Sequence, residues 1–155
     1  VPEMTHLVLL SHSGAGALDT YQALAQRYPH MRAGWRTLQD SLRNPPPDPD
    51  SARIHGRSWR YWAELENVNH TRALQQLQVP VFWAFGTADG LIPDQARRNL
   101  QQNLSPAHQR LWRVCEYAGA DHGFHDDKAS RLPDLMWQIE RWLMAQPDMA
   151  ECRTL

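Results

Sequence analysis

The chain has 155 residues, a length that fits a single domain with a modest core. Sixteen basic and 17 acidic side chains leave it near neutral, which argues against a nucleic-acid partner and against a polybasic membrane anchor. No apolar run approaches the roughly 20 residues of a transmembrane helix, and no signal peptide is visible, so we expect a cytoplasmic protein.

The chain begins with the pattern of a strand, a tight turn and a helix. Four apolar residues, Leu7–Leu10, predict a buried strand, and Ser11–Gly16 contains only small residues besides one histidine. Apolar residues at helical spacing predict a helix over Ala17–Tyr28, which Pro29 ends. This geometry lifts Ser13 out of the sheet on a sharp bend and aims the first N–H groups of the helix at whatever Ser13 attacks.

The middle of the chain is less regular. We predict a short strand over Met31–Leu38. Asn44–Asp50 contains four prolines and is predicted to be a stiff, exposed connector. Arg57–Leu77 has a rough apolar stripe that predicts helix in two pieces, with a break at residues 70–71.

The second half alternates strands and helices. Val79–Phe85 is almost continuously apolar, which predicts a strand of a parallel sheet that is buried on both faces. A helix over Asp94–Asn103 follows, with Pro93 near its start, and Leu111–Tyr117 predicts a further strand. Apolar residues at helical spacing predict a last helix over Leu132–Leu143. The alternation predicts a single α/β domain, residues 1–155, with a mostly parallel sheet flanked by helices.

The cysteines and the tail suggest no further constraint on the fold. Asp148–Leu155 is polar and is predicted to be frayed. Cys115 falls in a predicted buried strand and Cys152 in this tail, so we predict no disulfide framework. No CxxC spacing is present, and the residues 122–127 lack a regular zinc spacing, so we expect neither a metal nor a cofactor.

Polar side chains follow three of the predicted strands, namely Ser13, Asp89 and His122. Sites in open parallel sheets gather at the carboxyl ends of the strands. A serine hydroxyl needs a base to become a nucleophile, an imidazole can take and return its proton, and a carboxylate fixes the imidazole. The N–H of Gly14 is placed to stabilise a developing oxyanion. These residue types therefore predict a nucleophile, a base and an orienting acid.

The same three segments resemble motifs of the α/β-hydrolase superfamily. Ser11–Gly16 resembles its nucleophile elbow, Pro80–Pro93 is similar to its acid strand and loop, and Gly119–Phe124 resembles its histidine loop. The resemblance spans Thr5–Ala145. It implies a serine hydrolase that cleaves ester or amide bonds through an acyl-enzyme, with a small-molecule ester or a peptide as substrate.

The finer resemblance is to particular members of that superfamily. Tyr61–Asn69 followed by Leu74–Pro80 is similar to acyl hydrolases and to prolyl-oligopeptidase-like peptidases. The elbow departs from the usual Gly-x-Ser-x-Gly, because Ser11 and Ala15 stand at the two small positions. Both side chains are small enough for the turn.

The resemblance also implies that something is missing. Superfamily members carry several strands and helices before the elbow, and an early loop supplies the second oxyanion N–H. We therefore expect the chain to be the C-terminal part of a larger hydrolase, with an incomplete α/β-hydrolase fold. The strand Leu7–Leu10 would then have an unpaired edge, which pairs with the missing N-terminal portion or mediates self-association.

Other residues have alternative interpretations. His12, Trp59 and Trp62 are possible pocket residues, although core packing explains the two tryptophans equally well. Asp121 is the alternative to Asp89 as the orienting acid.

Two other functions stay open. One is a non-catalytic fragment or scaffold that retains the triad residues without a complete oxyanion hole. The other is a phosphate- or nucleotide-binding module that uses Ser13–Gly16 at a helix N-terminus. The second is disfavoured, because the chain has neither GxGxxG nor a P-loop, and Lys128 is its only lysine.

Overall fold

The computed structural model describes residues 3–68, 70–92, 94–145 and 152–155. The chain divides into two compact units, one formed by residues 1–14 and 73–155 and the other by residues 15–72. Pro93, expected near the start of a helix, and residues 148–151 of the predicted tail lie outside the described residues.

The described elements are short and alternate along the chain. The strands are β1 (Leu7–Leu10), β2 (Arg53–Ile54), β3 (Arg57–Ser58), β4 (Val81–Gly86), β5 (Trp112–Tyr117) and β6 (Cys152–Thr154). The helices are α1 (Ala17–Arg27), α2 (Arg32–Arg43), α3 (Trp59–Glu66), α4 (His70–Gln75), α5 (Asp94–Asn103), α6 (Pro106–Gln109) and α7 (Leu132–Leu143).

The first unit is built on a four-stranded sheet with the order β1-β4-β5-β6. The pairs β1–β4 and β4–β5 are parallel, and β5–β6 is antiparallel. All six residues of β4 are buried, as expected for a strand that is covered on both faces. The predicted α/β fold with a mostly parallel sheet is therefore confirmed.

A hydrophobic cluster covers each face of this sheet. On one face, Phe82 and Ala84 of β4 pack with Leu135 and Ile139 of α7. On the other face, alternate residues of β4 and β5 pack with Leu100 of α5. For α7 this apolar face was predicted from the helical spacing of its apolar residues. Among the described residues, no helix combines the length and the apolar character needed to span a membrane.

The C-terminal end corrects two predictions. Cys152–Thr154 forms the edge strand β6 and is not frayed. Its register places Cys152 directly opposite Cys115 of β5, and the two cysteines form a disulfide. The prediction without a disulfide was therefore wrong. A strand of three residues is too short for a periodic signal, and it forms here because β5 offers a pairing edge.

The second unit corrects the strand predicted over Met31–Leu38. A 3₁₀ turn over Pro29–Met31 leads into α2. The helix is favoured because Leu38 is fully buried on its inner face. The close approach of the Tyr21 hydroxyl explains a glycine at position 34 of this helix, because an added Cβ would lie 2.7 Å from that oxygen.

The segment after the proline-rich connector begins differently from its prediction. β2 and β3 form a short antiparallel hairpin, and helix begins only at Trp59, after the side chain of Ser58 caps its first turn. The predicted break at residues 70–71 was placed too late, because α4 begins at His70.

Candidate active site

The three polar residues that follow strands all belong to the first unit. Ser13 lies in the turn after β1, Asp89 in the loop after β4, and His122 in the loop after β5. Since β1, β4 and β5 are parallel neighbours, their carboxyl ends lie at the same edge of the sheet. The strand-end positions expected from the sequence are those observed.

A buried carboxylate binds the imidazole at this edge. Nδ1 of His122 lies 2.9 Å from Oδ2 of Asp89. The Asp89 side chain is fully buried, whereas 47% of the His122 side chain is exposed. The second oxygen of Asp89 accepts the N–H of Leu91 at 2.8 Å, which fixes the carboxylate. With a carboxylate at Nδ1, that nitrogen carries the proton, and Nε2 of the neutral ring is the basic nitrogen.

Backbone hydrogen bonds join the acid loop to the histidine loop. The N–H of Thr87 donates to the carbonyl of Tyr117 (2.9 Å), and the N–H of Ala88 donates to the carbonyl of Ala120 (3.0 Å). The approach requires glycine at position 86, because an added Cβ would collide with the Ala120 carbonyl. Asp89 and His122 therefore meet because two strand ends are bonded along their backbones.

Arg97 is a buried residue of this region that the sequence did not single out. Its guanidinium donates to the carbonyl of Gly86 at 3.2 Å and pairs with the carboxylate of Asp94. It also lies over the ring of Phe85, with 4.3 Å to the ring centroid. Arg97 thus binds both ends of the loop that carries Asp89.

The turn that carries Ser13 is anchored on β4. Ser13 is buried, with 4% of its surface exposed. The N–H of Ser11 donates to the carbonyl of Ala84 at 2.9 Å, and the indole N–H of Trp83 donates to the carbonyl of His12 at 3.0 Å. The nucleophile candidate therefore sits on a turn whose backbone is fixed to the central strand.

Two residues of this turn have left-handed backbone. Gly14 has a φ of +77°, and an added Cβ would lie 2.9 Å from Cβ of Leu100, so only glycine fits there. Ser11 has a φ of +46°, which is unusual for a residue with a side chain. Its hydroxyl donates to the carbonyl of His122 at 2.8 Å.

The predicted oxyanion donor is engaged within the turn. The N–H of Gly14 donates to Nδ1 of His12 at 2.9 Å. His12, which the sequence suggested as a pocket residue, therefore contacts the backbone beside Ser13. The oxyanion role of Gly14 stays a prediction.

Asp121 has a different role from Asp89. One oxygen of Asp121 accepts the N–H groups of His125 (2.9 Å) and Gly123 (2.8 Å). The His125 bond is the largest cause that lowers the pKa of this carboxyl below its ordinary value, and the Gly123 bond and the nearby histidines add to it. Asp121 therefore shapes its own loop, and Asp89 is the carboxylate that binds the His122 imidazole.

Trp59 and Trp62 belong to the second unit. Their indole N–H groups donate to the carbonyls of Ser41 (2.8 Å) and Ile54 (2.9 Å) in the same unit. These bonds fit the packing interpretation, and the pocket role stays a prediction. Within the described ranges, no group of three His, Cys, Asp or Glu side chains is arranged to hold a metal ion.

Comparison with known families decides the assignment. A model of the dienelactone hydrolase family matches residues 50–145, which is more than half of the chain. The chain belongs to the dienelactone hydrolase family. This family places it in the α/β-hydrolase superfamily. The matched segment of this dienelactone hydrolase family member contains Asp89 and His122, and Ser13 precedes it.

The chain is similar to several solved structures, and the first of them shares its fold. A monoacylglycerol lipase from Paleococcus ferrophilus aligns with a TM-score of 0.56 and 19% identity, covering 92% of this chain and 59% of the lipase. The esterase RhEst1 from Rhodococcus sp. ECU1013 has a TM-score of 0.45 and 18% identity, with 92% and 57% covered. An E-2-(acetamidomethylene)succinate hydrolase has a TM-score of 0.44 and 16% identity, with 92% and 58% covered. The chain thus spans less than two thirds of each structure. No curated protein matches the sequence.

Proposed function

We propose that this chain carries the catalytic triad of a serine hydrolase, with Ser13 as nucleophile, His122 as general base and Asp89 as the acid that orients it. The observation that carries the proposal is the 2.9 Å bond between His122 and the fully buried carboxylate of Asp89. It lies at the edge of the sheet where the strand ends also bear Ser13, and an imidazole–carboxylate pair is what activation of a serine hydroxyl needs.

The proposed reaction has two halves. Nε2 of His122 takes the proton from Oγ of Ser13 while Oγ attacks the substrate carbonyl carbon. The tetrahedral intermediate collapses as His122 passes the proton to the leaving alcohol or amine, and an acyl-enzyme remains. Water, activated by the same imidazole, then attacks the acyl carbon and releases the carboxylic acid and Ser13. Asp89 stays ionised throughout and stabilises the imidazolium.

In this proposal the Gly14 N–H is one donor to the oxyanion. That N–H is bonded to Nδ1 of His12, so it must exchange an imidazole nitrogen for the substrate oxygen when the intermediate forms. The exchange is feasible because the oxyanion is a stronger acceptor than a neutral imidazole.

The proposed substrates are small-molecule esters in preference to peptides. A family named for lactone hydrolysis matches the chain, and a lipase, which cleaves esters, shares its fold. Cleavage of amides, including peptides, is the second candidate within the same mechanism, because the triad chemistry is common to both.

A fluorophosphonate probe with peptide mapping by mass spectrometry tests the triad. We expect one adduct, on Ser13, and expect Ser13→Ala and His122→Ala to abolish it. Loss of either triad member is expected to cost several powers of ten in rate, with losses that do not add. Ser105→Ala is the matched control, since Ser105 caps α6 and is expected to leave labelling unchanged.

The same experiment separates the alternatives. Labelling elsewhere than Ser13 contradicts the proposed triad. Saturable nucleotide binding without labelling would favour the phosphate-binding module. Neither labelling nor nucleotide binding would favour the non-catalytic scaffold.

We also propose that β1 mediates association. β4 is its partner on one side, and β1 is the first strand of the sheet order among the described residues. Val8 and Leu10 on this strand are 36% and 42% exposed. An exposed apolar edge favours pairing with a further strand, either of a second copy or, in a longer protein, of a preceding segment.

Size-exclusion chromatography with light scattering, applied to this chain alone, tests whether β1 mediates association. We expect a dimer or larger species, and expect Val8→Lys to shift it towards the monomer, because a charge on the edge opposes pairing. A stable wild-type monomer would contradict this proposal and would leave the triad proposal untouched.

A further inference from the structure

Ser11 stands where the usual elbow motif has glycine, and its side chain makes a long-range contact. Its Oγ donates to the backbone carbonyl of His122 at 2.8 Å, and the two residues are 111 positions apart in the chain. Ser11 is buried, with 8% of its surface exposed, so water competes little for this bond.

The backbone of Ser11 is unfavourable for serine. Its φ of +46° lies in the left-handed region, where the Cβ of an L-residue approaches the following carbonyl, and glycine adopts that region freely. A glycine would therefore satisfy the turn with less strain. The hydroxyl, with its bond to the histidine loop, is what serine supplies and glycine lacks.

The bond has a direct consequence for His122. Asp89 fixes the imidazole at Nδ1, and Ser11 fixes the backbone of the same residue at its carbonyl. Two separate points of attachment restrict both the position and the rotation of the ring. One of them comes from the turn that carries Ser13, so the base and the nucleophile share one hydrogen-bonded frame.

We infer that Ser11 is a positioning residue that aligns the His122 imidazole with Ser13. This inference rests on the proposed serine hydrolase function and deepens it. Ser11 touches neither the substrate nor the reacting atoms in this scheme, and acts through the backbone of His122. Its loss misplaces the base without removing any group that reacts.

Two substitutions separate positioning from stability. Ser11→Ala removes the hydroxyl and retains the left-handed strain, whereas Ser11→Gly removes both. Ser105→Ala removes a serine hydroxyl that caps α6 and serves as the control for a general loss of stability. Each variant is compared with wild type for melting temperature, for the fluorophosphonate labelling rate at Ser13, and for kcat and KM on a chromogenic acetate ester.

We expect both Ser11 variants to slow labelling and lower kcat by roughly 10- to 100-fold, because small misplacements of a reacting group have effects of that size. The KM of both Ser11 variants is expected to stay unchanged. The labelling rate of Ser105→Ala is expected to equal that of wild type. Ser11→Gly is expected to melt no lower than Ser11→Ala. A Ser11→Gly variant that labels at the wild-type rate would overturn the inference, since a purely structural role predicts that result.

A second measurement does not depend on catalysis. The Nδ1–H proton of His122, bonded to Asp89, is observable by proton NMR as a downfield resonance. We expect it to be sharp in wild type and broadened by exchange with water in Ser11→Ala and Ser11→Gly. If wild type is not labelled at Ser13, the proposed function fails and this resonance alone decides the inference. An unchanged resonance in both variants would overturn it.

Discussion

At the residue scale, burial distinguishes the two aspartates near His122. The Asp89 side chain is fully buried against the imidazole, whereas Asp121 is more than half exposed and accepts N–H groups of its own loop. A carboxylate removed from water interacts more strongly with a developing imidazolium than an exposed one. The two residues are therefore a matched pair for testing which of them supports catalysis.

Asp89→Asn is expected to lower kcat by a factor on the order of 10⁴, because an amide neither stabilises the imidazolium nor selects the productive tautomer. Asp121→Asn is expected to stay near wild type at neutral pH, since its amide oxygen still accepts loop N–H groups. Ester hydrolysis rates at saturating substrate check both. Equal losses in the two variants would refute the assignment of Asp89.

A second residue-scale prediction concerns His12. Its Nδ1 accepts the hydrogen bond of the Gly14 N–H, and the proposed mechanism needs that N–H to stabilise the oxyanion. His12→Phe keeps a ring of similar size and removes the acceptor. We expect the acylation rate to rise by roughly 2- to 10-fold, the equivalent of one net hydrogen bond that no longer has to be exchanged.

The acylation rate is measured by stopped-flow with an activated ester. His12→Asn is the control, because it keeps a polar side chain that can accept the same N–H. A slower rate in His12→Phe would show that His12 supports the turn and does not compete with the oxyanion.

At the element scale, the two loops that carry Asp89 and His122 depend on a close approach at Gly86. Gly86→Ala places a Cβ against the Ala120 carbonyl, and neither backbone can yield easily. We expect a loss of about 1–3 kcal/mol in the free energy of unfolding, the usual cost of overpacking, together with loss of Ser13 labelling as the histidine loop moves.

Gly119→Ala is the comparison for that prediction. Gly119 has a φ of +72° with open space around its Cα, so alanine there costs only backbone strain, about 1–2 kcal/mol. Denaturant unfolding and probe labelling are measured on both variants. If Gly119→Ala retains labelling at a similar loss of stability and Gly86→Ala does not, the close approach is what positions the base.

The histidine loop is also expected to respond to acid. Asp126 accepts the N–H groups of Ala129 and Lys128, and these bonds, chiefly that of Ala129, lower its pKa. Bonds from its own loop lower the pKa of Asp121 in the same way. Because this pKa is lower in the folded state, the ionised carboxylates stabilise the loop at pH values above the ordinary aspartate pKa. That contribution is lost as the pH falls through the folded-state pKa. Protonation therefore loosens the loop only below about pH 3.8.

Proton NMR of the loop amides over a pH titration checks this expectation, with Asp121→Asn and Asp126→Asn as controls that flatten the response. Loosening that begins at pH 5 or above would contradict it, since both shifts are downward. The contribution of Asp121 is modest, because 59% of its side chain is exposed to solvent.

The elements differ in how far the sequence could predict them. β4, β5 and α7 were predicted because each buries one face or both, and burial leaves a pattern of apolar residues. α5 was predicted from the proline near its start. The helix α2 was predicted as a strand, since Gly34 and the arginines obscure its apolar spacing in a short window. For β6 the sequence carries no signal, because its formation depends on an edge supplied by β5.

The candidate site also has residues that the sequence could suggest and contacts that it could not. Ser13, Asp89 and His122 could be named as candidates because each follows a strand, and the ends of parallel strands converge; their catalytic roles stay a prediction. The contacts of Ser11, His12 and Arg97 were not identified from the sequence. The Ser11 contact depends on how closely two loops approach each other, and residues 111 positions apart leave no local pattern from which to infer a bond. The His12 contact lies within one turn, but the sequence does not show where the ring points.

At the scale of the whole molecule, the disulfide connects the C-terminal strand to the sheet. Cys115 is fully buried in β5, and its partner Cys152 lies 37 positions later, on the edge strand β6. The bond is relevant to location as well, because disulfides persist in oxidising compartments and are rare in the cytoplasm. A cytoplasmic protein would hold this pair reduced, so the redox state of the pair in the cell tests the location expected from the sequence.

The last prediction concerns stability. A cross-link over a span of this length restricts the unfolded chain, and by chain-entropy arguments its loss costs about 3–4 kcal/mol. We expect reduction of the purified protein to lower its free energy of unfolding by this amount and to accelerate hydrogen exchange in β6. Cys152→Ser is the control, because it removes the partly exposed cysteine, leaves the buried Cys115 in place and is expected to be insensitive to reductant. Equal stability of the oxidised and reduced wild type would mean that pairing with β5 alone holds β6, and thiol alkylation of freshly lysed cells followed by mass spectrometry would then show which form the cell contains.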